Sequence, residues 1–144
     1  MEIVLYRKKV MRKVELSNKF IDAWARKDRN ILASCLSKRV KCHLIDKDTH
    51  ITSKDEFLKY ASKIFNMLQE QNAEIIPVFC KKGNYYELIY SFILPVAVAN
   101  GEMVTSDAEQ EAYMEIRKVF IKTYVYFEFN LFKIKKITFS GKEI

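Results

Sequence analysis

Between Leu68 and Glu74 the hydrophobic period of the chain changes from 3.6 to 2, and this switch constrains the fold more than any motif does. Upstream of it the pattern is helical. Ser53-Lys54-Asp55-Glu56 reads as a capping box, the serine oxygen on the Glu56 amide and the glutamate reaching back. Behind it Phe57, Leu58, Ala61, Ile64, Phe65 and Leu68 recur at helical spacing, which predicts a helix over residues 54–70. An earlier stripe of Val10, Val14, Ile21 and Trp24, widened by Leu16, Phe20 and Ala23, predicts a helix ending at Arg26-Lys27-Asp28. Asp28 then caps a short helix carrying Ile31, Leu32, Cys35 and Leu36. Residues 40–45 read as a strand that ends in the polar turn Asp46-Lys47-Asp48-Thr49.

Downstream the alternation is that of strands. Residues 75–80 form one, residues 81–84 a hairpin turn, and the return strand puts Tyr86, Leu88, Tyr90, Phe92, Leu94, Val96 and Val98 on one face. Asn100-Gly101 is a turn signal, and Asp107 to Glu111 is a loop or a short helical turn. Val119 to Glu128 alternates again. In the last strand, residues 131–140, the alternation slips at Lys135-Lys136 as a β-bulge would make it. Helices first and long strands afterwards is an α+β order.

Its 144 residues make one domain, residues 1–144, with 1–13 readable as a basic N-terminal extension. A hydrophobic share of 49% supplies a core, and three Gly and two Pro exclude low-complexity and linker-rich chains. The net charge of +7 invites a nucleic-acid reading, but its distribution argues against one. Residues 1–14 carry five basic groups against one acidic, residues 117–144 seven against two, and residues 102–116 five acidic groups and no base. The excess is mostly lysine at both ends, which suits a solvated surface. The apolar start Ile3-Val4-Leu5-Tyr6 precedes the basic run, the reverse of a secretory signal. Leu88 to Ala99 is too short to cross a bilayer as a helix. Cys35, Cys42 and Cys80 are odd in number and lack CxxC spacing, which suits reduced thiols, so the expected location is the cytoplasm, with no membrane partner.

Three stretches resemble one family. Phe20-x3-Trp24…Asp28-x3-Leu32-x3-Leu36-x3-Val40 resembles the opening of the nuclear transport factor 2-like superfamily, which includes polyketide cyclase (SnoaL)-like proteins and ketosteroid isomerases. Ile51 to Phe57 resembles that family's "I-x-G-K-D-E-hydrophobic" lead into the third helix, with Ser53 where Gly is usual. Phe127 to Ile134 resembles its "F-x-F-x-x-G-K-I" hairpin, with Phe132 in place of the turn glycine. The resemblance covers most of the chain after Val14. It implies a cone-shaped, cystatin-like α+β roll: three N-terminal helices packed in a strongly curved, mainly antiparallel sheet around an apolar cavity. It also implies a homodimer formed through the sheet. Apolar residues on both faces of the long strands, Ile89 and Ile93 opposite Leu88 and Phe92, agree with that implication.

The resemblance puts a general base near the end of the first strand, where His43 stands, and imidazole titrates in the right range for proton transfer. Alternation instead groups His43 with Lys41, away from Val40, Cys42 and Leu44. The isomerases' oxyanion acid falls near Lys122. The expected cavity wall is Trp24, Phe57, Tyr60, Ala61, Ile64, Tyr90 and Tyr124, and these same residues also read as an ordinary hydrophobic core. Asp46-x-Asp48-x-His50 has a metal-like spacing, but a charged hairpin turn accounts for it, so neither metal nor cofactor is expected. Two functions remain open: a cavity protein binding a small apolar molecule, with or without isomerase- or cyclase-like proton transfer, and a non-catalytic homodimeric interaction module.

Overall fold

The computed structural model describes residues 2–82, 84–104 and 113–144, with side chains from residue 12 onward except at 80–82. Three helices come first: α1 (Glu2–Ala25), α2 (Arg29–Cys35) and α3 (Lys54–Glu70). Seven strands follow or interleave: β1 (Leu36–Leu44), β2 (Thr49–Ile51), β3 (Glu74–Lys82), β4 (Tyr85–Ala99), β5 (Glu102–Met103), β6 (Tyr113–Phe129) and β7 (Ile134–Ser140). They make one sheet in the order β2-β1-β7-β6-β4-β3, with β5 on β4. All neighbours are antiparallel except β1 and β7, which are parallel. The sheet is curved and unclosed, and the helices pack in it as an α+β, cone-like roll.

The local chemistry explains the boundaries. Asp28 Oδ1 accepts from the Ile31 amide to start α2, and Ser53 Oγ accepts from the Glu56 amide at 3.2 Å to start α3. The Glu56 carboxylate reaches back to the Thr52 amide rather than to that of Ser53, one residue beyond the ideal box. β1 begins directly after Cys35, four residues before the expected start, because the Leu36 amide closes α2 on the Ala33 carbonyl while Leu36 itself is already extended. Ile45 leaves the strand for a 3-10 turn, Ile45–Lys47, and Asp48 reverses the chain into β2 in the left-handed region at φ 45°. The helix expected from Val10 begins at Glu2, so the basic N-terminal extension is helical. Among the described side chains of this stripe Val14 is exposed, whereas Phe20, Ile21, Ala23 and Trp24 are buried. The acidic stretch Asp107 to Glu111 lies outside the described residues.

The bulge sits at Lys135. Glu128 pairs with Lys136 and Phe129 with Ile134, leaving Lys135 as the extra residue. Ahead of it Asn130 Oδ1 accepts from the Phe132 and Lys133 amides, an Asx turn that holds the hairpin without a glycine. Inside the roll the aromatic rings interlock. Trp24 meets Phe65 edge-on at 4.9 Å, Phe139 at 5.2 Å and Phe20 at 6.0 Å, all four fully or nearly buried. Burying one such side chain contributes about 1.5–3 kcal/mol, so this cluster fixes α1 against α3 and the sheet.

Candidate functional site

A pocket of about 320 Å³ opens at one end of the roll, beside the aromatic cluster. Each wall comes from a different element. Trp24 of α1 forms the floor, Tyr60 and Ile64 of α3 one side, and Tyr90 and Phe92 of β4 with Ile121 and Thr123 of β6 the other. Leu44, Asp46 and Lys47, at the end of β1 and in the turn after it, complete the rim with Ser140. Strand alternation accounts for the sheet side: Tyr90 pairs with Ile121 and Leu88 with Thr123, so all four share the inner face.

Two tyrosine hydroxyls and that of Thr123 supply polarity in a mostly apolar wall, with Asp46, Lys47 and Ser140 beside it. Trp24 Nε1–H donates to Tyr90 Oη at 2.9 Å, which fixes that oxygen as an acceptor and turns its own proton elsewhere. Burial raises the Tyr90 hydroxyl well above the ordinary range. Tyr60 is pushed up to about 12, chiefly by burial and secondarily by the nearby Cys42 thiol. Both are therefore neutral hydrogen-bond donors at neutral pH. At the rim the Asp46 carboxylate accepts from the Gly141 amide at 2.9 Å. A Cβ on Gly141 would lie 2.7 Å from Asp46 Oδ2, so a side chain there would push the Asp46 carboxylate out of this position.

Of the residues expected at a cavity, Trp24, Tyr60, Ile64 and Tyr90 stand together in the pocket wall. Phe57 and Ala61 lie behind it, fully buried in the core one turn nearer the start of α3. Tyr124 lies on the other face of the sheet. It pairs with Glu87, opposite in sense to Tyr86 and Leu88, and its ring meets Tyr85 at 5.0 Å. The expectation had grouped Tyr124 with Tyr90, but the register sets Tyr90 against Ile121 and so reverses its face. Lys122 shares the outer face and holds the buried Glu87 carboxylate at 3.3 Å, which raises the Lys122 ammonium.

His43 is not among the pocket residues. Cys42 and Leu44 point into the core, and His43 points out of the opposite side of β1. It faces His50 across the β1–β2 pair, the rings stacked at 4.1 Å and 13° apart. Its Nε2 lies 3.4 Å from Asp48 Oδ1, and His50 Nε2 lies 3.7 Å from the same oxygen. Leu44, Asp46, Lys47, Thr123 and Phe139 were not foreseen at the pocket. Phe139 shares its strand face with Ile137 and could have been found by alternation, whereas a polar turn such as Asp46-Lys47 carries no sequence mark of facing a cavity.

No family model and no curated protein matches the sequence. Solved structures do match. A candidate ketosteroid isomerase from Kribbella flavida DSM 17836 superposes with a TM-score of 0.56 at 13% identity, over 93% of this chain and 80% of that one. A nuclear transport factor 2-like protein of unknown function from Cytophaga hutchinsonii ATCC 33406 gives 0.54 at 13% identity, over 90% and 96%. A candidate polyketide cyclase from Xanthomonas campestris pv. campestris gives 0.54 at 11% identity, over 90% and 89%. Identity this low speaks for fold alone, and on fold the agreement spans nearly the whole chain: this protein has the nuclear transport factor 2-like fold.

Proposed function

We propose that the chain is a binding domain for a small, largely apolar molecule bearing one hydrogen-bond acceptor. The observation that carries this reading is the open pocket of about 320 Å³ whose aromatic and aliphatic wall is interrupted by the Tyr90, Tyr60 and Thr123 hydroxyls. That size and chemistry suit a ring-sized ligand, with orientation set by a few donors. Names of neighbours such as the candidate ketosteroid isomerase and the candidate polyketide cyclase point the same way. Proton transfer by His43 would need its imidazole in the pocket, and the ring stacks instead on His50 beyond β1. Binding is thus the better-supported reading. Trp24 is the only tryptophan in the sequence and forms the pocket floor, so its fluorescence reports occupancy. Titration with a panel of flat apolar ketones and phenols should give saturable quenching in the native chain and none in Thr123→Phe, which fills the pocket. No saturable response to any compound, or an equal response in Thr123→Phe, would refute the proposal.

A second copy of the chain is the partner this reading includes. On the outer face of the sheet Ile76, Ile93 and Phe120 are 40%, 64% and 57% exposed, with Ile89 between them in register. Large apolar side chains arrayed on one flat face are covered in most soluble proteins, and a two-fold sheet-to-sheet contact would cover them without touching the pocket. Among the described residues no helix is long and apolar enough to cross a membrane.

A further inference from the structure

Both histidines of the sequence lie in one place. His43 on β1 and His50 on β2 are direct cross-strand partners, so their side chains leave the same face of the pair side by side. Asp48 closes the group from the turn between the strands, and its left-handed backbone aims the carboxylate back at both rings. One ring nitrogen of each histidine and one Asp48 carboxylate oxygen all lie within 4.8 Å of one another, and the Nε2 atoms of His43 and His50 lie 3.4 and 3.7 Å from Asp48 Oδ1. A tetrahedral cation bound at about 2.0–2.1 Å from each donor requires donors about 3.3 Å apart. The two nitrogen–oxygen separations already stand within a few tenths of an ångström of that requirement.

The geometry points to a divalent transition-metal site formed by His43, His50 and Asp48 on the outer side of the β1–β2 hairpin. Two imidazoles and one carboxylate form a borderline donor set, which selects zinc-like cations over magnesium or calcium, whose sites are built from oxygen. The Asp48 carboxylate offsets half of the cation's charge and His43 is partly sheltered, whereas Asp48 and His50 stand open to solvent. A bound ion would therefore keep water or an outside donor in its remaining position. The spacing noted in the sequence, Asp46-x-Asp48-x-His50, was set aside there as a charged turn, and it overlaps this group in two residues: Asp46 turns away to the Gly141 amide, and His43 from the preceding strand stands in the third place. The ion would sit on the back of the turn that carries Asp46 and Lys47 to the pocket rim, so the site is separate from the pocket and does not depend on the function proposed for it.

The test is calorimetric titration of the metal-free full chain with ZnCl2, with MgCl2 as the comparison cation. One equivalent of zinc per chain should bind, magnesium should not compete, and zinc should raise the melting temperature. Losing a partner that only orients a ligand weakens metal affinity by roughly 10–100-fold, so His50→Ala and His43→Ala should each lose at least tenfold. His50 is largely exposed and its replacement leaves the core intact, which keeps the test open if His43→Ala folds poorly. Asp48→Asn preserves a residue that tolerates the left-handed turn and should also weaken binding. Cobalt substitution should give visible d–d bands without a thiolate charge-transfer band, and Cys80→Ser should leave the titration unchanged. Absence of zinc binding, binding indifferent to His50→Ala, or binding lost in Cys80→Ser would each overturn the site.

Discussion

Trp24 and Tyr90 link the core of this molecule to its pocket. The indole N–H is buried and donates to the Tyr90 hydroxyl, a bond that joins α1 to β4 across 66 residues of sequence. Tyr90→Phe keeps the ring and deletes the acceptor, leaving a buried donor unsatisfied, which costs about 1–3 kcal/mol. Urea unfolding should show that loss, and the ligand titration should weaken with it. A second residue-scale expectation concerns pH. Burial pushes the Cys42 thiol from 9.0 to about 12, and it raises Cys35 in the same direction. The folded state therefore holds these protons more tightly than the unfolded chain does. The corresponding stability is complete below pH 9 and is lost as pH rises toward 12. Tyr60, raised from 10.0 to about 12, adds to the same fall above pH 10. Melting temperature should decline across this window, and Cys42→Ala should flatten its first part; a melting temperature constant from pH 8 to 11 would contradict the burial of these groups.

Among the elements, α3 shows how a local code and a tertiary one combine. Its start is set by Ser53 and Glu56, and its inner face by Phe57, Ala61, Phe65 and Leu68, all buried. Ser53→Ala should cost about 1 kcal/mol, measured by urea unfolding, without moving the helix. The same helix divides its work: Phe57 and Ala61 close the core, and Tyr60 and Ile64, a little further round, reach the pocket. The stripe of apolar residues was legible in the sequence, but not this division, because it depends on how the helix lies against β1 and the rest of the sheet. β1 presents the converse case. Alternation correctly separates His43 from Cys42, yet only the pairing with β2 brings His50 opposite His43. The strand β2 is three residues long, too short to carry a period of its own.

For the whole molecule, the decisive feature is a sheet with two unlike faces. The inner face wraps the helices and the pocket, and the outer face presents Ile76, Ile93 and Phe120 around the paired Glu87 and Lys122. If a second copy covers that face, sedimentation at micromolar concentration should give a dimer. Phe120→Glu together with Ile93→Lys should then give a folded monomer with the fluorescence titration of the pocket intact. A native chain that sediments as a monomer would remove the second copy from the functional reading.

The sequence by itself determined the α+β order, the third helix and its cap, and the two faces of the long strands down to the slip at Lys135. These are local properties: a hydrophobic period, a side chain bonding an amide three residues away, an alternation. Tertiary structure alone decided that β1 runs parallel to β7, that Tyr124 faces outward, that Asp46 and Lys47 reach the pocket rim, and that His43 meets His50 outside the pocket. Those outcomes depend on register between strands far apart in the chain, and a shift of one residue exchanges every side chain between faces. No periodicity within a strand records which residue its neighbour will set beside it.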